Sequence, residues 1–229
     1  MALIKLTAIV SEISGKINGT VFSKNRYGAY ARTKVTPVNR NTVKQQGARA
    51  ILTIVSQAWK SLTEAQRKGW NEGAKNFIRT NVFGDVRNLS GSALFARLNA
   101  NLLHIGESQI VDCPLPVSVP AVDTLTGAAD NSDQSMTLAF SPAIDAGVSV
   151  EVYATAGLSA GKNFVKSEFK KIATKTSAFL TGDSIAADYI AVFGAVPAAG
   201  TKVFVQLKHI DNTTGQPGAV IKTSFIVAA

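Results

Sequence analysis

The chain has 229 residues, of which 46% are hydrophobic and 17% charged; this is enough for one large or two small domains with real cores, and it excludes a disordered or fibrous chain. No apolar run reaches the roughly 18 residues of a membrane helix, and Cys113 stands alone, so no disulfide framework is expected. The formal net charge of +9 is unevenly placed: residues 1–112 hold 16 Lys+Arg against 6 Asp+Glu, whereas residues 113–229 hold 8 lysines, no arginine and 9 acids.

Residues 2–14 carry too little pattern to choose between a short strand and an arm. Their apolar stretch is broken by Thr7, Ser11 and Glu12, a poor match to a secretory leader, so cytosolic synthesis is expected. Residues 20–24 and 29–35 read as two strands joined through Asn25-Arg26-Tyr27-Gly28, where Asn and Gly suit a tight turn. Period-two alternation puts Tyr30, Arg32 and Lys34 on one face, and Ala29, Ala31, Thr33 and Val35 on the other.

Pro37 ends this ribbon. Thr42 with Gln45 has the spacing of a capping box. Ala48, Ile51, Leu52, Val55, Ala58 and Trp59 then recur at helical spacing as one apolar stripe. Thr63 with Gln66 repeats the box, followed by Trp70, Ala74 and Phe77 at i, i+4 and i+7. Residues 78–89 read as a loop. A third helix is expected from about Ser92 to Ile105, with Leu94, Leu98, Leu102 and Ile105 inward and Gly106 as its stop.

Pro114, Pro116 and Pro120 mark residues 113–120 as a stiff linker. Beyond it the period becomes two, at Met136/Leu138/Phe140, Val148/Val150/Val152, Ala191/Phe193, Val203/Val205/Leu207 and Ile221/Thr223/Phe225/Val227. Turn clusters at 130–133, 145–147, 181–183, 198–200 and 211–215 punctuate the runs. The fold expected is an α+β N-terminal domain over 1–112, a β-ribbon plus three short helices, then an all-β immunoglobulin- or fibronectin-III-like sandwich of about seven strands over 121–229.

Candidate chemistry is sparse. His104 and His209 fall in different expected domains, and neither has a metal-spaced partner. Cys113 adjoins Pro114 and reads as an inert thiol. Asp130, Asp133 and Asp145 sit in turns and match no calcium-loop spacing, so turn chemistry accounts for them. No phosphate-loop pattern is present. The expectation is no enzyme, no catalytic residue, no cofactor and no metal. What stands out is charge: no acid lies between Glu12 and Glu64, while nine bases do, from Lys16 to Lys60. Arginine's fork suits carboxylate or phosphate, so the first half expects an acidic partner. Lys24, Arg26, Arg32 and Lys34, interleaved with Tyr27 and Tyr30, form the expected contact surface. A protein interface, a nucleic acid and a plain solvated face all remain open for it.

Several of these residues also carry a resemblance. Ile13-Ser14-Gly15-Lys16-Ile17-Asn18-Gly19-Thr20-Val21-Phe22-Ser23, then Arg32-Thr33-Lys34-Val35-Thr36-Pro37-Val38-Asn39, Gln57-Ala58-Trp59 and Leu62-Thr63-Glu64-Ala65-Gln66-Arg67 with Trp70, resemble small virion proteins of tailed bacteriophages of gut Bacteroidales and related prophage genes. Within that group the stretch is most similar to auxiliary head proteins of crAss-like phages. It covers about a third of the chain; the second half resembles only generically the Ig-like domains that phages append to virion proteins. The resemblance implies a non-enzymatic capsid auxiliary or decoration protein, assembled in bacterial cytoplasm and located in the virion. Its partners would be the major capsid protein and other virion proteins, with self-association a further option and no membrane. Two alternatives stay open: a neck, tail-ring or host-adhesion component, and a nucleic-acid-binding protein using the ribbon in a DNA groove.

Overall fold

The computed structural model describes residues 2–5 and 10–229. Among these the chain is mixed α+β, with four α-helices and three antiparallel sheets, and it divides into two compact units, Met1–Leu94 and Phe95–Ala229. The expected boundary segment 113–120 therefore lies within the second unit.

The first unit opens with a four-stranded sheet of order β1-β4-β3-β2, from β1 (Ala2–Ile4), β2 (Gly15–Ile17), β3 (Thr20–Asn25) and β4 (Gly28–Thr33). The two-strand ribbon is thus flanked on both sides. Residues 2–4 form a strand, while residues 6–9 of the suspected arm lie outside the described residues. Arg26 and Tyr27 are the two-residue turn between β3 and β4. There the Tyr27 N–H donates to Asn25 Oδ1 at 2.9 Å, and Gly28 takes φ +114°, which a side chain would resist.

Both capping boxes form. Thr42 caps α1 (Val43–Ser61) and Thr63 caps α2 (Glu64–Gly73), each with the reciprocal Gln side chain returning to the cap N–H. The Arg67 guanidinium donates to the carbonyls of Leu62 (2.8 Å) and Lys60 (3.3 Å), satisfying acceptors that the end of α1 leaves open. After Gly73 the backbone tightens into a 3-10 turn, Ala74–Asn76, so Phe77 falls beyond the helix and is half-buried. α3 (Gly91–Ile105) ends at Gly106, φ +90°, with the Glu107 N–H reaching back to the Leu102 carbonyl at 2.9 Å.

The second unit is a packed β structure. β7 (Val148–Ala154) and β9 (Lys202–Asp211) are the inner strands of a sheet ordered β10-β9-β7-β8, with β8 (Lys170–Lys175) and β10 (Pro217–Ile226) at its edges. β5 (Thr124–Asp130) and β6 (Ser135–Ser141) form a separate hairpin. The shared core joins Leu125, Met136, Leu138 and Phe140 of the hairpin to Val150, Val152, Val203, Val205 and Leu207 of the sheet. Gly127 lets β5 lie against the Phe225 ring, which occupies the space a Cβ would take.

One expected strand is a helix. Ala191 and Phe193 belong to α4 (Ala186–Phe193), not to a strand. Tyr189 is buried, stacks on Phe193 with ring centroids 4.5 Å apart, and donates its hydroxyl to the Thr155 carbonyl at 2.9 Å. Burial pushes its pKa up to about 12. A mostly apolar eight-residue stretch has no length signal to separate helix from strand, and here packing decided. β8 was not expected because Lys170-Lys171-Ile172-Ala173-Thr174-Lys175 lacks an alternating apolar face. Its lysines hold it instead: Lys171 to Glu151 (2.7 Å), Lys175 to Asp188 (2.6 Å), and Lys170 over the Phe193 ring (4.8 Å).

Candidate interaction surface

The antiparallel register sorts the expected contact residues. Tyr30 faces Ser23 and Leu3, and Arg32 faces Val21, which in turn faces Lys16. Directly opposed residues share a face, so Lys16, Arg32 and Tyr30 lie on one side of the sheet. Lys24, opposite Ala29, lies on the other side with Phe22, Ala31 and Ile4. Arg26 and Tyr27 are in the turn. Lys34 lies one residue beyond β4, its N–H bonded to the Gly19 carbonyl at 2.7 Å. The six expected residues therefore do not converge on one face.

Their electrostatic surroundings differ too. Lys24 is held by Glu12 at 3.2 Å. Lys5 reaches Asp85 at 3.8 Å and lies over the Phe83 ring at 5.2 Å. The Asn81 amide, which donates to Asp85, and then the Lys5 charge hold that carboxyl below its usual range. Among the described residues no carboxylate stands within ion-pair distance of Arg26, Arg32, Lys34 or Arg40.

Sequence reasoning missed β2 and with it Lys16, the basic partner of Arg32. The missed signal was Asn18-Gly19, a hairpin dipeptide, which here forms a two-residue connection with Asn18 at φ 48°. It also placed Ala48, Ile51, Leu52, Val55, Ala58 and Trp59 on one apolar stripe and left Ile54 out of it. Val55 is buried and Ile51, Ala58 and Trp59 are half-buried, but Leu52 and Ile54 are exposed, and every residue from 32 to 50 is exposed.

That imbalance runs through the first unit. Among its described residues five hydrophobic side chains are buried (Val55, Leu62, Trp70, Ala74, Leu94), while eleven large ones are exposed; the second unit buries 26 and exposes seven. A segment that holds 15 of the 24 Lys+Arg and leaves more large apolar side chains exposed than buried has the composition of an interface.

The remaining candidates are occupied by local structure. Asp130 Oδ1 accepts from the Ser132 hydroxyl (2.7 Å) and N–H (2.8 Å), which lowers its pKa, and Asp145 Oδ1 accepts from the Gly147 N–H at 2.9 Å. Burial pushes the half-buried Cys113 thiol up and the His104 imidazole down. His209 is wholly buried between the Val122 N–H and the Ala219 carbonyl. Among the described residues no three His, Cys, Asp or Glu side chains gather to hold a metal, and no helix is long and apolar enough to cross a membrane.

The chain has no significant match among protein-family models, curated proteins or solved structures. Its surface therefore carries the functional argument.

Proposed function

We propose that this chain is a non-enzymatic structural protein of a tailed-bacteriophage virion, a capsid auxiliary or decoration protein. In this reading the basic first unit binds the major capsid protein lattice, and the second unit, an immunoglobulin- or fibronectin-III-like sandwich, is presented outward or bridges neighbours. The observation that carries it is the contrast between the units: one arginine-rich with more large apolar side chains exposed than buried, the other near-neutral and fully cored. The first unit gains from burial against a partner, and an acidic shell would also answer its charge. Many copies on a lattice multiply a weak contact into firm attachment. The sandwich assignment is supported by the hairpin and the four-stranded sheet sharing one core.

Quantitative mass spectrometry of purified particles tests this. About one copy per capsid subunit or per capsomer is expected. About a dozen copies, as a symmetric ring would hold, would place the protein at the neck or tail instead. Absence from particles would refute the virion reading.

A further inference from the structure

The N-terminal half of α1 presents a second apolar line that the chain's own core does not use. Val43, Gly47, Ala50 and Ile54 recur at i, i+4, i+7 and i+11, within an arc of about 60°, and that arc is centred about 80° from Ile51, Val55, Ala58 and Leu62, which face inward. Val43 is 84% exposed and Ile54 47%, and a Cβ placed on Gly47 meets nothing within 4 Å. Two small residues between two branched ones leave room for another backbone to approach closely.

The approach to this line is ordered, although every residue in it is exposed. Thr42 and Gln45 exchange their capping bonds at 3.3 Å each. The Arg49 guanidinium donates to Asn39 Oδ1 at 2.9 Å and Asn41 Oδ1 at 3.5 Å, and the Asn41 N–H donates to Asn39 Oδ1 at 3.2 Å. Arg49 thus folds residues 39–41, with Asn41 at φ 47°, back along the first turns of the helix. A polar network holds the element in place without apolar burial, which lowers the ordering cost of binding.

Charge selects the occupant. Residues 1–94 hold 15 Lys+Arg against 4 Asp+Glu, so two copies of this unit repel each other. Residues 95–229 hold 9 Lys+Arg against 11 Asp+Glu, too nearly balanced to answer that charge. A duplex would match the bases through its phosphates but would leave Val43 and Ile54 in water. We propose that the Val43–Gly47–Ala50–Ile54 line of α1 docks into an apolar recess rimmed by carboxylates on a different protein chain. The proposal deepens the virion reading and rests on it, the partner being the shell protein. It places the central contact on α1 rather than on the ribbon turn.

The test uses the full chain and purified shells of the major capsid protein of the same virus, freed of this protein. Val43→Glu/Ile54→Glu sets acids against the carboxylate rim. Gly47→Leu fills the approach space while favouring the helix, so its melting temperature should hold or rise. Each variant should lose about tenfold or more in affinity for shells while keeping its circular dichroism, as expected for a central apolar contact. Undiminished binding of both variants to shells that the natural chain binds would overturn the docking line and leave the virion reading standing. Failure of the natural chain to bind shells would overturn both. Self-association in sedimentation that the variants abolish, or duplex DNA binding that they weaken, would overturn the proposal in favour of a second copy or a nucleic acid.

Discussion

His209 shows what one side chain contributes to the second unit. Its Nε2 accepts the Val122 N–H at 3.3 Å, and its Nδ1 lies 3.0 Å from the Ala219 carbonyl, so the ring is neutral with its proton on Nδ1. Burial pushes its pKa down, and the bond to Ala219 only partly restores it. The folded value therefore lies below the unfolded value of about 6.5. The neutral ring's stabilisation is complete above that pH and is lost as pH falls toward and through the folded value. Thermal melts should be flat from about pH 8 to 7 and decline below about 6.5; His209→Gln should be less stable at pH 8 and show a shallower first decline, with His104, which burial also pushes down, supplying the remainder. Glu151 adds a later one. Burial raises its pKa, but the Lys171 hydrogen bond and then the Lys208 charge outweigh this and hold it below the ordinary 4.5. Its contribution is full above that pH and is lost as pH falls through the folded value. Glu151→Gln leaves two part-buried lysines without their counter-charge, and a loss of about 2–3 kcal/mol in denaturant unfolding is expected. Neither role was legible in the sequence, because the partners lie 10 to 87 residues away.

Elements governed by local chemistry were legible. The boxes at Thr42/Gln45 and Thr63/Gln66 and the stop at Gly106 depend on neighbours within a few residues, and all three form. Elements decided by packing were not. Ala186–Phe193 became a helix against an expected strand, and β8 forms from a lysine-rich stretch held by distant carboxylates and a ring. The candidate surface was half legible: its charge could be read from composition, while the sheet face joining Lys16 to Arg32 and the outward line on α1 required the register and the burial. The start of α3 is a further case where only contact reveals the constraint. A Cβ on Gly91 would come within 2.7 Å of the Trp70 backbone, and the Gly91 N–H donates to Asn71 Oδ1 at 3.2 Å. Backbone cannot yield as a flexible side chain would. Gly91→Ala should therefore destabilise the first unit by about 1–3 kcal/mol despite alanine's better helix propensity, as a lower denaturant midpoint would show.

For the molecule as a whole, the split of charge between the units predicts how attachment responds to conditions. The proposed binding to a capsid lattice should weaken as salt rises from about 0.05 to 0.5 M, because exposed charges are screened over ever shorter distances. Reversal at Lys16 and Arg32, which share a face, should weaken it more than reversal at Lys24, which faces away and already holds Glu12; equal effects in co-sedimentation with capsids would refute the assignment of faces. The second unit has its own weak margin. β8 is tied to its neighbours by three lysines, with Ile172 its one side chain against the core. Once Glu151 is protonated one of those ties is gone, and this edge should open locally before the core does, with its amides first to exchange in acid. The strand then uncovered is β7, buried along nearly all its length and rich in valine. A bare, apolar, β-branched edge templates pairing with other chains, so acid-stressed protein should form fibrils seeded from β7 while most of the fold is still intact.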